Sequence, residues 1–323
     1  MKQVTLVSPK QLVGVNVEPP NAKQGEALVQ IRRVGICGTD YHAFRGEQPF
    51  FQYPRVLGHE LAGVVAEVSG ESLGIEVGDT CAIEPYVNCG LCDACRAGLS
   101  NCCERLSVIG VHIDGGMREF LNVPMRLLHR SKKLNFDELA LIETLGIGAH
   151  AVERAKVRTS DRVALVGAGP IGLAVAEFLR LLGVEMCIIE MREERRHVAR
   201  SLDFYAVEER PAGQFDVVFD ATGSVKAMER SFDLVATGGR LIFVGLVKSH
   251  ISFDDVAFHR REMTLLASRN SRGQFPRIIR LAEEGRLEPS RWITHRATLD
   301  ELPLQFDTLC DNPGVLKAMI EVN

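Results

Sequence analysis

The 323-residue chain carries little net charge, −4 with histidine neutral. So small an imbalance gives no general attraction to nucleic acid or to an anionic membrane. It has no apolar run long enough to span a bilayer, and its opening MKQVTLVSPKQLVGV has no signal-peptide pattern. The expectation is a cytoplasmic protein with neither membrane nor nucleic-acid partners. It also lacks an even, dispersed set of cysteines. There are nine, at 37, 81, 89, 92, 95, 102, 103, 187 and 310, and five of them fall between 89 and 103. An odd, clustered set in a cytosolic-looking chain argues for metal rather than disulfides. With 46% hydrophobic and 25% charged residues the composition is that of a soluble globular protein. Its length exceeds what one core usually reaches, so two domains are expected.

The stretch Gly35–Glu60 concentrates the reactive side chains. Cys37, His59 and Glu60 are a thiolate, an imidazole and a carboxylate, a mixed donor set suited to Zn²⁺. Thr39 and His42 are close by in sequence and could move a proton away from a metal-bound oxygen. Taken alone, His42 would be a surface histidine, and Thr39 could simply cap a helix. Phe50, Phe51 and Tyr53 read as core rather than substrate wall. The first 130 residues are rich in Gly and Pro and poor in helical periodicity, which suggests an irregular β domain.

Cys89, Cys92, Cys95 and Cys103 follow at CxxCxxC spacing plus one. Four such thiols can close a tetrahedron around a structural zinc and pin a lobe with little core of its own. Cys102 is the adjacent alternative for the fourth position. A nucleic-acid-binding zinc ribbon is disfavoured because no basic cluster surrounds the lobe. A helical stretch near Asp137 contains Glu143 in LALIETLGIGAH, where a helix-end charge and a buried functional carboxylate are both open readings. His112 and His150 have no partner motif.

From Arg162 the texture changes. The apolar run Val163–Val166 leads into Gly167-Ala-Gly169-Pro170-Ile171-Gly172, a helix-compatible stretch Leu173–Leu182, and a second apolar run ending in Glu190. This is the strand–turn–helix–strand setting in which GxGxxG binds a dinucleotide. Gly167 permits the turn, Gly169 lets backbone approach the pyrophosphate, and Gly172 allows close packing. The helix N-terminus meets the phosphates. Glu190 would accept from the adenosine ribose and repel a 2′-phosphate, which favours NAD over NADP. Arg192, Arg195 and Arg196 pull the other way. Strands at 217–221, 240–244 and 263–267 and helices at 225–235 and 275–284 extend a doubly wound parallel sheet. The short segment 202–216 leaves room only for a trimmed third unit. A helix at 299–309 and a last strand at 315–322 are expected to rejoin the first domain.

Together, CGTDYH, GHE, the four-cysteine lobe and GAGPIG resemble the zinc-dependent medium-chain dehydrogenases of alcohol, sorbitol and threonine dehydrogenase type. The likeness runs through the whole chain, in the family's order and spacing. It implies an α/β fold in which a Rossmann domain, 146–285, is inserted into a GroES-like β domain made of 1–145 and 286–323. It implies two zinc ions. Cys37, His59, Glu60 and Glu143 match positions in or near the catalytic zinc shell, and Thr39 and His42 match the proton relay. Glu190 and Arg195 match contacts to the adenosine ribose. Val244, Gly245, Leu246, Ser268 and Arg269 match segments lining the nicotinamide, while Arg269 could instead clamp a substrate carboxylate. The strings QPFFQYPRVLGHE, CCERLSVIGVHIDGG and FHRREMTLLASRN look most like bacterial L-galactonate-type dehydrogenases of sugar acids and polyols. The implied reaction is oxidation of a secondary alcohol to a ketone with hydride transfer to NAD, in a homodimer or homotetramer. Threonine or simple-alcohol oxidation, a zinc-free quinone reductase and a non-catalytic NAD-binding sensor are the rivals. Cys37, His59 and Glu143 together argue against the quinone reductase.

Overall fold

The structure, a computed structural model, describes residues 1–48 and 51–323. The chain divides into two compact units: Met1–Glu143 with Phe275–Asn323, and Thr144–Gln274.

The first unit begins with β1 (Lys2–Ser8), β2 (Gln11–Asn16), β3 (Glu26–Ile36), α1 (Gly38–Phe44), β4 (Glu60–Val68) and β5 (Thr80–Ile83). It continues through β6 (Tyr86–Val87), α2 (Asp93–Arg96), β7 (Ser107–Val108), β8 (Phe120–Pro124), β9 (Leu128–Arg130) and α3 (Phe136–Ala140). β3 is its spine. Ala27, Val29 and Ile31 are buried at alternate positions, the period of a strand with one face on a core. β3 pairs antiparallel with β4 and β8. α3 starts at Asn135, whose side chain accepts from the Glu138 N–H while Glu138 accepts from the Asn135 N–H, so two donors at the helix start are satisfied reciprocally. α4 (Ile142–Ala155) follows, and the boundary between the units falls within it, after Glu143.

The second unit holds β10 (Val163–Val166), α5 (Pro170–Leu181), β11 (Met186–Ile189), α6 (Glu193–Ser201), β12 (Ala206–Val207), β13 (Phe215–Asp220), α7 (Val225–Ser231), β14 (Val235–Phe243), α8 (Asp255–Arg260) and β15 (Thr264–Ala267). The strands run parallel in the order β12-β11-β10-β13-β14-β15. β10 is Val-Ala-Leu-Val, almost wholly buried, as a parallel strand covered on both faces must be. The order reverses between β10 and β13, so the loops leaving the carboxyl ends of those strands frame a crevice. Segment 202–216 yields only the two-residue β12, which runs directly on to β13. The polar α6, EERRHVARS, and the six-residue α8 are helices that the apolar pattern did not announce.

The chain then re-enters the first unit through α9 (Phe275–Glu283), β16 (Ile293–Thr298), α10 (Leu302–Asp311) and β17 (Lys317–Glu321). β17 pairs antiparallel with β3. The return starts at Phe275, not at residue 286 as the resemblance implies. α9 is anchored in the first unit: the Phe275 ring lies 4.9 Å from His129, and Ser131 Oγ donates to Glu283 at 2.6 Å.

Candidate functional site

In the first unit, Cys37, His59 and Glu60 offer donor atoms that all lie within 4.8 Å of one another. Asp40 organises the two loops that carry Cys37 and His59. Its carboxylate accepts the Cys37 N–H at 2.9 Å and the Gly58 N–H at 3.3 Å. Its Oδ1 also stands 3.7 Å from His59 Nδ1, which has no hydrogen-bond partner among the described residues. Burial alone would push the His59 imidazole down, but the Asp40 carboxylate and the Cys37 sulfur outweigh it and hold the ring well above its ordinary value. Asp40 itself is pushed up by burial.

Glu60 is fully buried and opposite Gly35 in the β3–β4 pair. A Cβ at Gly35 would come 2.1 Å from Glu60 Oε2, so only glycine leaves room for the carboxylate. Lys317, equally buried on β17, donates its ammonium to both Glu60 oxygens at 2.6 and 2.7 Å and to the Ile36 carbonyl at 3.2 Å. Burial lowers a lysine, yet Glu60 and Cys37 keep Lys317 above its usual value.

Glu143, at the start of α4, is buried too and is pushed up by burial. It does not join the mutual group of three; its Oε1 instead accepts the phenol of buried Tyr86. Three carboxyls and a thiol thus surround one ammonium and one imidazole. Isolated buried charges are costly, so this donor set fits a further cation such as Zn²⁺. Thr39 Oγ1 lies 3.8 Å from Cys37 Sγ. His42 is exposed on the last turn of α1, with Nδ1 2.9 Å from Glu47 Oε2.

The four sulfurs of Cys89, Cys92, Cys95 and Cys103 also lie within 4.8 Å of one another. Cys102 is exposed and outside the group. The backbone N–H groups of Leu91 and Cys92 each point at Cys89 Sγ from 3.4 Å and push that thiol down to about 6. Desolvation and the neighbouring thiols push Cys95 up to about 12. Sulfurs this crowded cannot all be thiolates unless a cation joins them, which fits a tetrahedral zinc.

The second unit offers a nucleotide cradle. Gly167 sits at φ 99°, and a Cβ at Gly172 would come 2.0 Å from the Gly167 carbonyl. A Cβ at Gly169 would meet only Arg195 Nη1, at 3.6 Å, so backbone here stays open to a phosphate at the N-terminus of α5. Pro170 begins that helix and Ile171 follows. Glu190, just past β11, is buried; it accepts the Ala168 N–H at 2.8 Å and the Arg192 N–H at 2.9 Å. Arg195 approaches it to 3.9 Å. Arg196 turns away to the Glu190 and Met191 carbonyls and to Glu193 and Glu208. Val244, Gly245 and Leu246 follow β14, with the Val244 and Gly245 N–H groups on the Asp220 carbonyl. Ser268 and Arg269 follow β15. All of these positions lie past the carboxyl ends of the parallel strands.

Three site residues escaped sequence reasoning. Asp40 lay inside CGTDYH, overshadowed by its neighbours. Lys317 is a lysine in the apolar run VLKAMIEV, a visible signal. Tyr86 had none. Phe51 and Tyr53 pack against the core of the first unit; Phe50 lies outside the described residues. His150 is buried on α4 and pushed down by burial and by Arg272.

The alcohol dehydrogenase GroES-like domain matches residues 23–133, and the zinc-binding dehydrogenase domain matches residues 170–284. The chain is 41% identical to L-galactonate-5-dehydrogenase of Escherichia coli K12, across 97% of this chain and 96% of that one. An alcohol dehydrogenase of Escherichia coli CFT073, solved with NADH, superposes with a TM-score of 0.93 at 27% identity over 99% of both chains. A zinc-binding dehydrogenase of Sinorhizobium meliloti 1021, solved with NADP, gives 0.92 at 28% identity over 99% of this chain and 98% of that one.

Proposed function

The chain belongs to the zinc-binding dehydrogenases with an alcohol dehydrogenase GroES-like domain, and we propose that it oxidises a secondary hydroxyl of a sugar acid or polyol to a ketone, with NAD as hydride acceptor. The observation that carries this reading is the Cys37, His59 and Glu60 group, with the histidine and the glutamate buried, in a chain 41% identical to an L-galactonate-5-dehydrogenase. Cys37, His59 and one of Glu60 or Glu143 would hold the catalytic zinc, and Cys89, Cys92, Cys95 and Cys103 a second, structural one. Zinc bound there supplies Lewis-acid polarisation of the alcohol oxygen, the effect that lowers the pKa of bound water from ~15.7 to ~7, and the nicotinamide supplies the hydride acceptor.

The chain's own residues do the rest. Asp40 orients His59, and Lys317 holds Glu60 within reach of the sulfur and imidazole. Thr39 accepts the hydroxyl proton, and His42 carries a proton to solvent. Gly167, Gly169, Pro170, Ile171 and Gly172 form the pyrophosphate cradle, and Glu190 with Arg195 meets the adenosine ribose. Val244, Gly245, Leu246, Ser268 and Arg269 line the nicotinamide. NAD is favoured over NADP because a buried carboxylate, Glu190, occupies the ribose position, and Arg196 is committed to carbonyls and carboxylates. The edge strand β15, with Leu265 partly exposed, supports a homodimer or homotetramer paired along that edge. No helix among the described residues is long and apolar enough to cross a membrane.

The test is reduction of NAD⁺ and of NADP⁺ over aldonates, polyols, threonine and simple alcohols, with and without a strong chelator. Chelator-sensitive NADH formation from an aldonate or polyol is expected. Protein that contains two zincs and binds NADH yet turns over nothing on the panel would sink the reading in favour of a sensor.

A further inference from the structure

The end of α1 carries a second acid–base pair. Gly46 sits at φ 77°. Its N–H bonds to the Ala43 carbonyl, and the Glu47 N–H bonds to the His42 carbonyl at 2.8 Å. This is the paired 5→2 and 6→1 closure of a helix C-terminus. Such a closure folds the second residue beyond the helix back over the residue one turn earlier, where an apolar contact is usual. Here the two residues are Glu47 and His42, and Glu47 Oε2 meets His42 Nδ1 at 2.9 Å. The backbone closure thus brings the two side chains within reach of each other. A Cβ at Gly46 would press on Pro9 at 3.1 and 3.2 Å in a conformation that L residues rarely adopt.

We infer that Glu47 is a positioning residue for the proton relay: it holds the proton of neutral His42 on Nδ1 and so leaves Nε2 as the bare, accepting nitrogen. The hydrogen bond made by one ring nitrogen sets the state of the other, and a carboxylate can only accept from a neutral ring. Each alcohol oxidation releases one proton. Nε2 takes it up, the imidazolium keeps its Nδ1–H against the Glu47 carboxylate, and the Nε2 proton then passes to water, which restores the starting tautomer. Nothing is oxidised or reduced in this step. The inference rests on the relay role of His42 proposed above, and its test has an arm that needs neither cofactor nor substrate.

The full-length protein is labelled with ¹⁵N-histidine, and long-range ¹H–¹⁵N spectra are recorded at a pH where the rings are neutral. The chain has nine histidines, so the His42 signals are assigned by their loss in His42→Gln. Wild type is expected to show the Nδ1–H tautomer at His42. Glu47→Ala is expected to move it toward Nε2–H, and Gly46→Ala, which disturbs the reversal without touching either side chain, to do the same. With the aldonate or polyol found active, Glu47→Ala should lower kcat roughly three- to tenfold at unchanged KM, a fraction of the ~10²–10⁴ that positioned acid–base catalysis supplies. An unchanged His42 tautomer in Glu47→Ala overturns the inference. So does a shifted tautomer with unchanged kcat. Absence of any turnover by wild type on the whole panel condemns the proposed function instead, while the spectra still decide the pair.

Discussion

Replacing Lys317 by Met isolates the contact that holds Glu60 in the proposed zinc pocket. The ammonium and the Glu60 carboxylate each have 1% of their side-chain surface exposed, and the nitrogen reaches both oxygens. Methionine keeps the stem's volume and removes the charge. Glu60 is then a buried anion with its bidentate partner gone. Removing one member of a buried pair costs about 3–5 kcal/mol, because the survivor is left uncompensated. The assay is urea unfolding followed through Trp292, the chain's single tryptophan, which is fully buried in the first unit. Metal is first removed from every sample by the same chelator treatment, so that zinc cannot take the place of the ammonium. With m near 3 kcal/mol/M, the midpoint should fall by about 1–2 M. Lys317→Met with Glu60→Gln should recover more than half of the loss, since removing both charges is close to neutral. A single-variant loss below about 1 kcal/mol, or a double variant as unstable as the single one, would refute the claim that this pair is an obligate charge compensation.

Three further outcomes follow from the geometry. Gly35→Ala should push the Glu60 carboxylate aside, because the new methyl would overlap it at 2.1 Å; the expected result is about 10–100-fold weaker retention of the catalytic zinc, measured by metal content after graded chelation. Cys103→Ser should take the metal content from two zincs per chain to one, whereas Cys102→Ser should leave it at two. Asp137, against Arg33 and Arg296, would be raised by its burial, but the hydrogen bonds and charges of Arg296 and Arg33 hold its carboxyl below the usual range. A depressed carboxyl stabilises the fold above its unfolded-state value, near pH 3.9, and that stability is lost as pH falls through the folded value. Wild type should therefore exceed Asp137→Asn by about 1–2 kcal/mol at neutral pH, a gap that closes in acid; a pH-independent difference in Trp292-monitored urea melts would contradict the network.

The parts of this site that could be read from sequence are those whose chemistry is local. The cysteine lobe and the Gly167–Gly172 turn are contiguous, because metal knuckles and phosphate turns are built by a few successive backbone N–H groups. Lys317 was not legible as a partner for Glu60, since a strand pairing with β3 brings it across the whole chain. Glu143 was expected near a metal, yet its engagement with Tyr86 depends on a two-residue strand, β6, too short to leave a period. The end of the second unit is illegible in the sequence for a similar reason. The apolar stripe of α9 is as compatible with one core as with another, and contacts such as Phe275 against His129 and Glu283 against Ser131 assign it. α6 is not legible because its nine residues are held by ion pairs such as Arg196 with Glu193 and Glu208 rather than by a wide apolar face.

The pairing of Lys317 with Glu60 also sets a clock on biosynthesis. The two residues are 257 positions apart, and at ~5–20 residues per second the ribosome needs roughly 13–50 s to travel between them. Throughout that interval the nascent chain carries the Glu60 pocket without its ammonium, and the β3 segment Arg33–Ile36, paired with β4 on one edge, stays open on the edge that β17 later covers. An open strand edge invites pairing with other chains. A polypeptide released early would thus keep most of its sheet and yet leave the Glu60 carboxylate without its counter-ion. The strand that closes the open edge is also the one that carries the ammonium, so sheet closure and charge compensation arrive together.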